Sequence, residues 1–289
     1  MKLFLFSFFI STYCFSQIPE TDVWMVNLIK KEGKYTFEKP LNITNRKGYD
    51  NQPSFTNDDK GIYFVSVKDD KQSDVYVYQI KNKLITQITQ TSESEYSPTL
   101  DPNKKNITCV VVLKDSSQQI FNYSVANIKN SVEVSKEFTN TDSVGYFTWL
   151  NADTILYYKL TQPHSLRAWN IKTNKDVWIC NNPTRAFKKI ENTSQFIYGV
   201  KDSTSVTFRI YNPTLKESKV YASYPSLNED FIWHNEFGLI KSENSDLLNF
   251  DSETKKWNVL FSFSDFGIKK ITRFLFDSKN KRLVFVSSN

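Results

Sequence analysis

GYDNQPSFTNDDKGIYFVSVKDDKQSDVYVYQIKNKLITQITQ, residues 48–90, decides the fold. Gln52-Pro53-Ser54-Phe55 alternates as a strand does, and Asn57-Asp58-Asp59-Lys60-Gly61 is a polar turn ending in glycine. Ile62-Tyr63-Phe64-Val65 is a nearly all-apolar run of β-branched and aromatic residues, the pattern of a strand buried on both faces. A second polar loop precedes Asp74-Val75-Tyr76-Val77-Tyr78, and Lys81-Asn82-Lys83 turns the chain into a fourth strand ending at Ile88-Thr89. Four short strands in immediate succession predict an antiparallel meander, with no helix in the unit.

The rest of the chain repeats this unit at intervals of roughly forty residues. A second unit opens with Tyr96-Ser97-Pro98-Thr99-Leu100 and turns at Asp101-Pro102-Asn103-Lys104-Lys105. A third starts at Gly145-Tyr146-Phe147-Thr148-Trp149, a fourth over 186–190 and a fifth over 230–234. The C-terminal stretch offers only two strands, around 272–276 and 282–287. The N-terminal stretch offers the missing pair: Asp22-Val23-Trp24-Met25-Val26 matches Asp74-Val75-Tyr76-Val77-Tyr78, and residues 35–44 match the fourth strand down to a terminal Ile43-Thr44.

The expected fold class is therefore all-β: a six-bladed β-propeller of four-stranded antiparallel blades, the last blade closed by residues 22–44 with 269–289. Such closure leaves no terminal sheet edge exposed. Trp149 and Trp233, at the Phe55 position of their units, are expected to pack between blades.

Residues 1–16 stand apart. Lys2 precedes an apolar segment over 3–10, and Thr12, Cys14 and Ser16 bring small residues toward a cut before Gln17. This predicts a secretory signal peptide, leaving a single propeller domain over 17–289. Bulky Tyr13 ahead of Cys14 disfavours lipid anchoring, so soluble export to the periplasm or cell surface is expected. No run of eighteen apolar residues follows it, so no helix of the mature chain is expected to span a membrane. The formal net charge of +6 is spread along the chain without a basic block, which makes nucleic acid an unfavoured partner. Cys109 and Cys180 both lie in apolar strand patterns and are expected to be thiols, although an exported protein leaves a disulfide open.

The motifs Gln52-Pro53-Ser54-Phe55-Thr56 with Asn57-Asp58-Asp59-Lys60-Gly61, Ser73-Asp74-Val75-Tyr76, and Tyr96-Ser97-Pro98 followed by Asp101-Pro102-Asn103-Lys104 resemble the TolB-like, WD-repeat-like propellers of bacterial exported proteins. In the second unit Lys105 is read at the place of Gly61. The resemblance implies the fold and roles in periplasmic or surface interaction, and it fixes no chemistry.

Candidate functional residues follow from aligning the units on Phe55. Asp50, Glu95, Val144, Arg185, Asn228 and Ile271 then fall near one mouth of the central channel, with Tyr49, Tyr96, Tyr146, Glu229 and Lys270 beside them. Mixed charge and several aromatics suit a protein segment or a small polar ligand, bound by a monomer. Asp22, Asp74 and Asp246 recur at one structural position, the opening of third strands, which points to scaffolding. Calcium at Asp69, Asp70 and Asp74 is opposed by the interleaved Lys68 and Lys71. The seven glycines are too widely spaced for a phosphate loop, a dinucleotide fingerprint or a nucleophile elbow. The two histidines, His164 and His234, are expected to be packing or surface residues. No cofactor is expected. The competing enzymatic expectation is a metal-dependent lactonase or esterase using Asp50, Glu95 and Asn228 as oxygen ligands, against which Arg185 would repel the cation.

Overall fold

Side-chain alternation explains how Gly61–Val67 is buried along its whole length. Ile62 and Phe64 point into one inter-sheet core and Tyr63 into the next. The computed structural model describes residues 19–68, 72–124, 134–138 and 141–288. The expected signal peptide lies outside the described residues, as do Asp69, Asp70 and Lys71.

Each unit is a four-stranded antiparallel blade. The first comprises Tyr49–Phe55, Gly61–Val67, Ser73–Gln79 and Leu84–Gln87. The second, third, fourth and fifth begin with innermost strands Ser94–Leu100, Val144–Asn151, Pro183–Lys189 and Phe231–His234. The sixth joins Ile271–Phe276 and Arg282–Ser288 to Thr21–Lys31. Seven residue pairs, from Thr21 opposite Ser288 to Asn27 opposite Arg282, close the ring. One parallel pair, Thr21 with Tyr49, ties this blade to the first.

The six hydrophobic clusters map onto the six contacts between neighbouring blades. Val23, Val284 and Val286 pack against Ile62 and Phe64 between blades six and one, and Val75 and Val77 against Ile107 and Val111 between one and two. Val110 and Ile120 meet Ile155 and Trp169, and Leu156 and Leu166 meet Phe187 and Phe196. Phe208 and Val206 meet Phe231 and Leu239, and Ile240 and Phe261 meet Leu283 and Phe285. The last cluster returns the ring to its starting blade, which makes the propeller six-bladed. Outermost strands such as Lys175–Asn181 are largely exposed.

Several details differ from the sequence expectation. The fourth strand of the closing blade is broken into Lys34–Phe37 and Leu41–Asn42. Pro40 lies between them and has no N–H to give a ladder. The counterpart of Gly61 in the second blade is Asn106 rather than Lys105, since Ile62 pairs with Phe55 as Ile107 pairs with Leu100. Gly61 is needed for closeness, not for a left-handed backbone: a Cβ there would meet Thr56 Cγ2 at 2.9 Å. The left-handed turn residues are instead Asp59 and Lys104, with φ of 56° and 59°.

The recurring aspartates are structural. Asp22 accepts hydrogen bonds from Asn42 Nδ2 at 2.8 Å and Thr44 Oγ1 at 3.0 Å, and Asp246 accepts one from Ser262 Oγ at 2.6 Å. The Ile-Thr strand ends serve the same junction: Thr44 and Thr89 accept the backbone N–H of Val23 and Val75. Trp149 donates from Nε1 to Thr108 across a blade boundary, and Trp233 packs edge-on against Tyr221 of the preceding blade. Cys109 is buried and Cys180 half-buried, and both are free thiols.

Candidate binding site in the central channel

The innermost strands are interrupted where they pass the channel. Register shifts fall between Asn51 and Ser54, between Tyr96 and Thr99, and between Thr272 and Leu275. At each shift one residue adopts the left-handed region: Gln52 at φ 55°, Ser97 at 55° and Arg273 at 49°. A bulge adds a residue without a ladder partner and re-aims its side chain. All three bulge residues line a cavity of about 210 Å³ at the centre of the ring.

Neighbouring strands hold these residues in place. Gln52 Oε1 accepts the Ser97 N–H at 2.6 Å, and Ser54 donates to the Pro98 carbonyl at 2.7 Å. On the opposite arc, Arg185 Nη2 donates to Asp230 Oδ2 at 2.5 Å. Arg273 Nε lies 3.7 Å from Asp230 Oδ1, and its guanidinium sits 4.9 Å from the Tyr146 ring centre. Glu229 braces the site from behind, accepting the Arg185 backbone N–H at 2.7 Å and pairing with Lys201 at 2.5 Å. Lys188 completes the basic wall and has no ion-pair partner among the described residues. Burial lowers its ammonium pKa and nearby Arg273 lowers it further, against the opposing influence of Asp230. Tyr49 stands close to this group; burial pushes its phenol up to about 12, against the opposing influence of Arg273 and Arg185.

Of the residues expected at the mouth, Tyr146 and Arg185 line the cavity, while Tyr49 and Tyr96 stand beside it. Asp50 and Glu95 do not line it. Both are completely buried within their blades. Asp50 is held by Arg46 at 2.5 Å, and burial raises its pKa despite that guanidinium. Glu95 accepts hydrogen bonds from Thr91, from Thr89 at 3.0 Å and from Tyr123 at 3.1 Å; burial pushes it up to about 7. Asn228 is a strand clamp that donates to the Ser242 carbonyl at 2.9 Å, and the wall position is taken by Asp230. Val144 and Ile271 face inter-blade cores, and Lys270 is exposed in a loop outside the lining.

Asp50, Glu95 and Asn228 therefore do not converge as a ligand set: Asp50 is buried on Arg46, and Glu95 and Asn228 are hydrogen-bonded to local partners away from the cavity. Among the described residues no three His, Cys, Asp or Glu side chains gather in a metal-binding arrangement. His234 is buried against Phe237 and Phe276 and bonds to Asn280, while His164 packs on Tyr158. Sequence reading missed Lys188, Asp230 and Arg273. Arg273 carried a usable signal, as the one charged residue inside the apolar strand Ile271–Phe276.

No family model matches the chain, and no curated protein matches it either. Solved structures do. A putative TolB from Agrobacterium tumefaciens superposes with a TM-score of 0.63 at 7% identity, over 94% of this chain and 99% of that one. The fold is that of the TolB propeller. TolB from Acinetobacter baumannii gives a TM-score of 0.58 at 10% identity, over 92% of this chain and 64% of that one. This chain thus spans somewhat under two thirds of the A. baumannii protein. An oligogalacturonate lyase in complex with manganese is similarly related, with a TM-score of 0.56 at 9% identity over 92% of this chain and 85% of that one. TolB-type propellers and a lyase share this architecture, so the fold alone assigns no chemistry. No helix among the described residues is long and apolar enough to cross a membrane.

Proposed function

We propose that this chain is an exported, monomeric, non-catalytic propeller that binds a protein segment or small polar ligand in its central channel. The observation that carries the reading is the channel wall itself. Arg185, Lys188, Asp230, Arg273 and Tyr146 converge on one cavity from four blades, and a network of inter-blade bonds fixes all but Lys188. Preformed polar groups around a concave centre favour recognition, because little ordering entropy remains to be lost on binding. The TolB-type fold supports an interaction role, and the segment over 1–16 supports export.

A photo-crosslinking amino acid at Thr99, on the channel wall, tests this against the same probe at Val259, which is 60% exposed on an outermost strand. Discrete adducts in the bacterial envelope from Thr99 and not from Val259 are the expected result. Equal labelling from both sites, or none from Thr99, refutes the channel as the binding site. Mass spectrometry of the mature N-terminus checks export independently, with Gln17 as the expected first residue.

A further inference from the structure

The cavity lining is electrically unbalanced. Among the described residues its cationic side chains are Arg185, Lys188 and Arg273, and its one carboxylate is Asp230. That carboxylate is already spent, with Oδ2 on Arg185 and Oδ1 facing Arg273. Glu229 also favours the charge on Arg185, but it is paired with Lys201, so the two together add no net charge behind the wall. Two positive charges remain uncompensated in a recess where solvent screening is reduced, and like charges so placed repel one another. The cost is tolerated while a neighbouring structure enforces it. Here Arg273 is pinned by its left-handed backbone, by Asp230 and by the Tyr146 ring. The buried Arg185 Nε–H, in addition, has no acceptor.

From this geometry we infer that the channel is a carboxylate-binding site, in which Lys188, Arg273 and Arg185 grip two carboxylate groups of one acidic ligand. Planar guanidinium groups match the two oxygens of a carboxylate, and the Lys188 ammonium adds a point charge to the same recess. Gln52 and Ser54 on the facing arc supply neutral hydrogen-bonding groups for the remainder of the ligand. The same chemistry is presented by a free polycarboxylic acid and by an acidic peptide segment.

Isothermal titration calorimetry at low ionic strength tests the inference, with citrate, a short polyglutamate peptide, a polyglutamine peptide of equal length and inorganic phosphate as probes. Citrate or polyglutamate is expected to bind, and polyglutamine is not. Binding of citrate alone assigns a free acid, binding of polyglutamate alone assigns an acidic chain, and either result supports the site. Lys188→Gln is expected to weaken binding about tenfold, the loss of one charge-assisted hydrogen bond. Lys188→Glu is expected to abolish it. Lys188 has no ion-pair partner among the described residues and faces like charges, so neither variant is expected to melt below the wild type, and loss of binding cannot be put down to unfolding. No heat with any acidic probe, phosphate binding as tightly as the carboxylates, or equal affinity in wild type and Lys188→Glu overturns the inference. It rests on the channel being the binding site. Thr99 adducts without carboxylate binding would remove this inference alone, whereas failure of the Thr99 adducts would remove the reading beneath it.

Discussion

Replacing Glu95 by glutamine should make the protein's stability less sensitive to pH. Glu95 has no exposed surface, and burial pushes its carboxyl from an ordinary value of 4.5 to about 7, despite hydroxyl donors from Thr89, Thr91 and Tyr123. Between those two values the folded chain holds a proton that the unfolded chain has released. Stability is then fully present below pH 4.5 and falls as pH rises through about 7. A difference of this size corresponds to about 3 kcal/mol across the window. Glutamine keeps the side-chain shape and does not titrate. It also points an amide N–H at Thr89, which already accepts the Val75 N–H, a mismatch of about 1 kcal/mol. Glu95→Gln should therefore be slightly less stable than wild type at pH 5 and about 2 kcal/mol more stable at pH 8. Urea unfolding followed by tryptophan fluorescence at both pH values reads this directly. Subtracting the variant curve cancels every other titrating group. A wild-type-minus-variant difference that is the same at pH 5 and pH 8 would show that Glu95 does not titrate in this range, and the argument from its burial would fail.

Two further outcomes follow from the blade junctions. Thr89→Val removes the acceptor for the Val75 N–H and one donor to Glu95, and should lower stability by about 2 kcal/mol, with Thr89→Ser restoring most of it, as measured by urea midpoints. Val284→Asp places a charge in the fully buried core between blades six and one. It should cost more than 3 kcal/mol and lower the thermal midpoint far more than Val259→Asp on an exposed outer strand.

The sequence exposed the ring more readily than the site because the two obey different periodicities. Strand alternation and turn chemistry survive in every blade, so Asp22-Val23-Trp24 could be matched to Asp74-Val75-Tyr76, and the six-fold count followed. Channel-facing positions depend instead on bulges at Gln52, Ser97 and Arg273, each of which turns the following side chains to the other face. The fourth blade's register shift spans Pro183 to Phe187, so counting in from the aligned aromatics reached Arg185 but stopped two residues short of Asp230 in the next blade. Asp50 and Glu95 fell near the mouth by alignment on Phe55, which stops two residues short of the lining residues Gln52 and Ser97. The partners of Asp50 and Glu95 explain their burial: Arg46 four residues upstream, and a pair of threonines with a tyrosine from a later strand. Lys188 and Arg273 form one wall only after the ring has closed, which no local spacing displays.

Closure by Thr21–Lys31 against Arg282–Ser288 also sets an order of events during synthesis. The strand of the ring that is synthesised first, Thr21–Lys31, receives its inner partner only when Arg282–Ser288 has been made. Its apolar residues, Val23, Met25 and Val26, are buried in the finished ring, but while the intervening blades form the strand has only its outer partners, Lys34–Phe37 and Leu41–Asn42, and its inner edge stays open. A nascent chain with such a strand waiting is most exposed to pairing with another chain, because unpaired apolar edges aggregate. The ring is therefore most vulnerable before its last strand is added, and a holdase that shields the waiting strand would protect it more than faster folding of any one blade.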